Sequence, residues 1–225
     1  MADTGGVNRN YDRSFSQKLT FALIHAWIVT VCISLAFGPI DWPNPTRARL
    51  LAFCAILYWA RHCVTLFILL KRQVAYSEVF GLSLFMAVFE IGFLLLGAGI
   101  LADAPATLGS MDWIALTLVF LGSFLNSGSE LQRWKWKKQP STKGHCYTGG
   151  LFGYATHINY FGDSVLFVGW AMLAASIFAW AIPVFVTAGF VFFHIPALDK
   201  YLSKRYSAEF DDYASKTAKL VPFIY

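Results

Sequence analysis

Residues 79–101 read VFGLSLFMAVFEIGFLLLGAGIL, a long apolar run interrupted by a single carboxylate, Glu90. A helix needs roughly 20 such residues to cross a hydrocarbon layer about 30 Å thick, so this run reads as a membrane span. Comparable blocks lie at about 19–40, 49–70 and 112–131. A shorter pair follows near 161–181 and 183–198, with Pro183 expected to divide it because proline breaks the helical ladder. The fold class that follows is all-α: a polytopic integral membrane bundle of about 6–7 transmembrane helices.

Composition agrees with that reading. The chain has 225 residues, 57% hydrophobic and 14% charged, with a mean hydropathy of +0.53. Soluble domains carry about 25% charged residues. A polar segment, 1–18, precedes one membrane domain, 19–225, and no cleavable signal peptide is expected. Cys32, Cys54 and Cys63 sit inside apolar blocks, and neither they nor Cys146 forms a CxxC or Cys/His cluster. A disulfide framework and a metal site are therefore not expected.

Orientation follows from the Lys/Arg asymmetry. Arg9, Arg13 and Lys18, then Lys71 and Arg72, then Arg133, Lys135, Lys137, Lys138 and Lys143 fall on one side, against Arg47 and Arg49 on the other. Both termini are expected in the cytoplasm, in a bacterial inner membrane or an endoplasmic reticulum. The loop RWKWKKQPSTKGHCYTGG interleaves charge with aromatics, which suits topology, anionic lipid headgroups or the phosphates of a nucleotide. One short basic loop on a membrane domain does not make a nucleic-acid surface.

Ionisable groups inside a membrane are expensive and mark function by default. Tyr58, Arg61, His62 and Thr65 recur at helical spacing on one face of the second span. Arg61 is about ten residues, or ~15 Å, from Lys71, too deep to snorkel, so an inward-facing cavity is expected. Glu90 is a candidate partner for Arg61. Asn126 and Glu130, four residues apart, share a face where the fourth span meets the basic loop, either as interhelical glue or as part of a site.

After that loop comes YTGGLFGYATHINYFGD, residues 147–163, which sets glycines of a turn beside His157, Asn159, Tyr160 and Asp163. Polar groups at a membrane boundary need partners. Together with Tyr58, Arg61 and Glu90 they point to a polar cavity with greasy walls for a lipophilic small molecule in contact with membrane lipid.

GGLFGYATHINYFGD, the apolar hairpin after it and the tail YLSKRYSAEFDDYASKTAKLVPFIY resemble the C-terminal domain of the steroid 5-alpha-reductases and the related sterol C14- and C7-reductases. The resemblance covers the chain from about residue 126 onward. It implies NADPH held in a helical membrane bundle with no Rossmann sheet, and reduction of a carbon–carbon double bond in a lipophilic, steroid-like enone. Carried onto this chain, it implies a cofactor set of Arg61, Asn126, Glu130, Arg133, Lys137, Tyr147, Asn159, Asp163 and Tyr201. Tyr58 matches the tyrosine that donates to the substrate carbonyl. The glutamate that the steroid reductases place on an earlier helix is missing, since His25 is the only ionisable group of the first span, and Glu90 is the substitute expected from another helix.

Similar C-terminal architecture occurs in S-adenosylmethionine-dependent membrane methyltransferases of the isoprenylcysteine and phospholipid type. Those show Arg-His-Pro before the Tyr and paired glutamates after the last span. This chain has Thr156-His157-Ile158 and no such pair, which favours the reductase. A lipid-binding membrane protein without catalysis is the third reading.

Overall fold

The computed structural model describes residues 14–99 and 107–225. Most of the polar N-terminal segment, with Arg9 and Arg13, and residues 100–106 lie outside the described residues. The described chain is helical: α1 Phe15–Phe37, α2 Pro45–Val64, α3 Tyr76–Gly97, α4 Ser110–Trp136, α5 Ile158–Leu173, α6 Ala181–Gly189, α7 Ile195–Tyr206 and α8 Ala208–Lys216. Among the described residues the only β pairing is one isolated parallel bridge, Ala155 to Ala218. Among the described residues five helices are long and apolar enough to cross a membrane: Phe15–Phe37, Pro45–Leu69, Tyr76–Gly97, Ser110–Trp136 and Ile177–Tyr206. The chain is an all-α integral membrane protein.

One expectation about the spans is corrected. The break in the C-terminal hairpin falls before Pro183, after α5 ends at Leu173, where Ala175 takes a φ of 50°. From Ile177 the chain then runs as one helical rod to Tyr206, through a π turn at Phe190–His194. Pro183 is buried within the first turn of α6, where its missing N–H is no loss. α5 itself has 16 residues, short of the roughly 20 that a perpendicular crossing needs.

The described residues form two compact units. One runs up to Val119 and includes Phe167–Pro183. There α1 packs along α3 and α2. Asn44 starts α2 by accepting from the Arg47 amide at 3.1 Å, with Pro45 in the first turn. Trp59 Nε1 donates to Ala22 O at 3.1 Å, and Lys18 Nζ to Leu70 O at 2.6 Å, tying α1 to the second half and the C-terminal end of the second span. Arg47 is no loop charge. It is buried against Asp112 at 2.9 Å and donates to Leu173 O at 2.8 Å.

The other unit comprises Phe120–Leu166 and Val184–Tyr225. Its helices α4 and α5 cross at two glycines. A Cβ on Gly122 would lie 2.4 Å from Gly162 O, and one on Gly162 would lie 2.5 Å from Asn126 N, so only bare backbone fits this crossing. After α8 the tail folds back on the start of α5. Thr156 N donates to Ala218 O at 2.8 Å and His157 N to Lys219 O at 3.0 Å.

Candidate functional site

In the unit of Phe120–Leu166 and Val184–Tyr225, helical spacing puts Asn126, Glu130, Arg133 and Lys137 along one side of α4. The glycine crossing brings that side against the first turns of α5. Asn126 Nδ2 donates to Asn159 O and to Asp163 Oδ2, both at 3.0 Å. Asn159 Nδ2 in turn donates to Glu130 Oε1 at 3.0 Å, and Glu130 Oε2 accepts from Arg133. Five of the expected cofactor residues therefore form one continuous hydrogen-bonded lattice. Asn126 and Glu130 do not bond each other; Asn159 joins them.

The loop of glycines is tied to the same helix. Gln132 Oε1 accepts from Leu151 N at 2.9 Å, just after Gly150, whose φ of 57° favours glycine. Arg133 sits over the Phe152 ring at 5.2 Å, and Tyr147 packs between Trp136 and Phe152, with centroids 5.2 and 5.8 Å away. The Tyr201 hydroxyl accepts from Arg205 at 2.6 Å. Burial, and then the neighbouring Arg133 and Arg205, hold the Lys137 ammonium below the ordinary lysine range, with Glu130 opposing them.

Some residues of this unit escaped the reading of the sequence. Asp199 Oδ1 meets His157 Nε2 at 2.7 Å, and its other oxygen meets Lys219 at 3.3 Å. Tyr160 stacks between His157 and Phe190, nearly parallel to each. Tyr213 donates to Phe152 O at 2.5 Å, and burial pushes its phenol above the usual range. Gln132, Asp199 and Tyr213 carry no local sign of these roles, because their partners are far off in the chain. Beside Asp199 lies a cavity of about 340 Å³ lined by Thr156, Lys200, Asp211 and Lys219 among others. Its acids and bases balance, which makes it a poor phosphate site.

The unit running up to Val119 holds the remaining candidates, Tyr58, Arg61 and Glu90, all buried. The Tyr58 ring is enclosed by Phe89, Phe167 and Trp170 at 5.7, 5.8 and 5.7 Å, with the Arg61 guanidinium over it at 4.8 Å. Glu90 does not take Arg61 as its partner. Its Oε1 lies 2.7 Å from Nε2 of His25, and His25 Nδ1 lies 3.3 Å from His62 Nδ1. Thr65 shares the face but bonds back to Arg61 O at 3.1 Å, within its own helix. Trp170 Nε1 and Glu90 Oε2 are buried without a hydrogen-bond partner among the described residues. Among the described residues no cluster of metal ligands is present.

The family described as "Protein of unknown function (DUF1295)" matches residues 61–217, which contain every candidate named above except Tyr58, His25 and Lys219. The chain belongs to that family. DUF1295 is associated with steroid 5-alpha-reductase-like proteins. This DUF1295 chain is 30% identical over 150 residues to the Delta(14)-sterol reductase erg24 of Schizosaccharomyces pombe, covering 58% of this chain and 34% of that protein. It is 38% identical over 79 residues to the probable O-methyltransferase ustE of Ustilaginoidea virens, covering 35% of this chain and 28% of that protein. The DUF1295 chain thus spans about a third of the length of each of these curated relatives.

Proposed function

We propose that this protein is an NADPH-dependent membrane reductase of a carbon–carbon double bond in a lipophilic, steroid-like enone. The observation that carries the reading is the basic end of the α4 lattice, where Arg133 pairs with Glu130 over the Phe152 ring and Arg205 donates to the Tyr201 hydroxyl, with Lys137 held below its ordinary range by burial first and then by Arg133 and Arg205. Phosphates suit that basic end, including the 2′-phosphate that distinguishes NADPH from NADH. S-adenosylmethionine has no phosphate and carries a sulfonium cation, so the same cluster disfavours it. The likeness to a sterol reductase over 58% of the chain supports the reductase as well.

When bound, the dihydronicotinamide supplies hydride. The chain's own residues do the rest. Arg133 and Lys137 hold phosphate charge, and Asn126, Asn159 and Asp163 form a rigid amide and carboxylate edge for the nicotinamide end. Tyr147 and Tyr201 contribute aromatic walls, and the resemblance implies Arg61 as a further cofactor cation. Tyr58, neutral at pH 7 and able to donate, polarises the carbonyl oxygen, where negative charge develops in the transition state. The aromatic cage around Tyr58 excludes water. Basic residues on the loops after the second and fourth spans support a cytoplasmic site and cytoplasmic termini.

The methyltransferase reading keeps one observation in its favour, the 38% identity to a probable O-methyltransferase. Thermal unfolding of detergent-purified protein with NADPH or S-adenosylmethionine separates the two, because a ligand bound to the native state raises stability. Stabilisation by NADPH that Asn159→Ala abolishes is the expected result. Stabilisation by S-adenosylmethionine alone overturns the reductase.

A further inference from the structure

We propose that Glu90, His25 and His62 form a buried proton wire that restores the Tyr58 hydroxyl after it has given its proton to the substrate oxygen. This deepens the reductase reading and rests on it for the proton's destination.

The hydrogen-bonded series runs from Glu90 through His25 to His62 and reaches Tyr58 by a ring contact. His25 is 0% exposed and uses both ring nitrogens, Nε2 toward Glu90 Oε1 at 2.7 Å and Nδ1 toward His62 Nδ1 at 3.3 Å. His62 then lies ring to ring with Tyr58, centroids 4.2 Å apart, one helical turn away on α2. His62 is half-buried where His25 and Glu90 are fully enclosed, so it is the outer end of the series.

Only certain proton arrangements satisfy both hydrogen bonds, since a neutral imidazole donates from one nitrogen and accepts at the other. In the first, Glu90 is a carboxylate accepting from His25 Nε2–H, His25 Nδ1 accepts from His62 Nδ1–H, and His62 Nε2 is bare. In the second, Glu90 is a neutral acid donating to His25 Nε2, His25 Nδ1–H donates to His62 Nδ1, and His62 Nε2 carries a proton. The two differ by one proton, taken up at His62 and stored at Glu90, with no charged imidazole in either.

The surroundings favour the second arrangement at rest. Glu90 Oε2 is buried without a partner among the described residues. A bare carboxylate oxygen in an apolar interior is far more costly than a bare acid carbonyl. His25 bonds Glu90 and Cys32 lies close enough to feel its charge, Tyr58 and His62 pack against the His25 ring, and the Arg61 guanidinium is stacked on Tyr58 at 4.8 Å. The resting wire is therefore loaded.

The balance closes. With a bound dihydronicotinamide supplying hydride to the β-carbon of the enone, the π electron pair would move to the carbonyl oxygen, which would take the Tyr58 proton to give the enol. The enol becomes the ketone with no net proton change. Tyr58 regains a proton from His62 Nε2, His62 from His25, and His25 from Glu90, which ends as a carboxylate.

The test combines infrared spectroscopy of the resting protein with kinetics using NADPH and androstenedione as the enone probe. Resting protein should show a protonated-carboxyl band that shifts in D₂O and disappears in Glu90→Gln; glutamate labelled with ¹³C at the carboxyl assigns the band if that variant does not fold. His62→Ala should lose about 100-fold in kcat, with KM for the enone unchanged, and added imidazole should restore turnover. A resting protein lacking the band overturns the wire whatever the reaction is. An unchanged kcat in His62→Ala overturns its role in turnover. A band that behaves as expected in a protein that oxidises no NADPH with the enone overturns the reductase reading and the proton's destination, while the wire stands.

Discussion

The side-chain amide of Asn159 donates to Glu130 Oε1 at 3.0 Å, which clamps the first turn of α5 onto α4. The backbone carbonyl of the same residue accepts from Asn126, so Asn159 is held from both ends. Replacing it with alanine removes the side-chain bond and leaves the backbone bond in place. Asn159→Ala should cost about 1 kcal/mol of stability yet abolish the NADPH-dependent rise in melting temperature. Thermal unfolding with and without NADPH checks both parts.

The glycine crossing makes a prediction about packing alone. In Gly122→Ala the new methyl meets Gly162 O at 2.4 Å and Leu166 N at 2.4 Å, all of it backbone that cannot swing aside. The substitution should destabilise by about 1–3 kcal/mol or more and disturb the Asn126–Asp163 bond. Gly81→Ala on α3, where nothing lies within 4 Å, is the control and should stay within about 0.5 kcal/mol of wild type. Denaturation midpoints of the two variants in the same detergent decide it.

Lys137 gives a pH dependence whose sign can be worked out. Its folded value lies below the ordinary 10.5, through burial first and then Arg133 and Arg205. Between the folded and the unfolded values the unfolded chain binds more protons, so stability rises with pH across that window. Lys137→Met should remove this rise and stabilise the ligand-free protein at neutral pH. It should also weaken NADPH binding, and in wild type that binding should fall as pH climbs through the depressed value. Melting temperature and NADPH affinity across neutral to alkaline pH test the pair of effects.

His25 and Glu90 form a buried pair with side chains 0% exposed. His25→Ala leaves the Glu90 carboxyl without its partner and should cost about 1–3 kcal/mol. His25→Gln, which keeps a polar group near Glu90, should cost less. The difference between the two variants in thermal unfolding measures the hydrogen bond.

The sequence by itself determined the class of the fold and the kinds of chemistry available. Hydropathy adds up along the chain and the membrane demands about 20 apolar residues per crossing, so the blocks around α1 to α4 were legible from composition. The resemblance in residues 147–163 and in the tail picked out Asn126, Glu130, Asn159 and Asp163, which the structure joins in one lattice. Tertiary structure alone decided the pairings. His25 meets Glu90 across 65 positions, and His157 meets Asp199 across 42. It also decided the turn at Ala175, where a search for helix breakers stops at Pro183. The reason is physical: burying apolar area needs only the right residues in a run, whereas a hydrogen bond needs two groups within about 3 Å at a set angle. That meeting depends on how each helix is rotated against its neighbour, which no local stretch of sequence states.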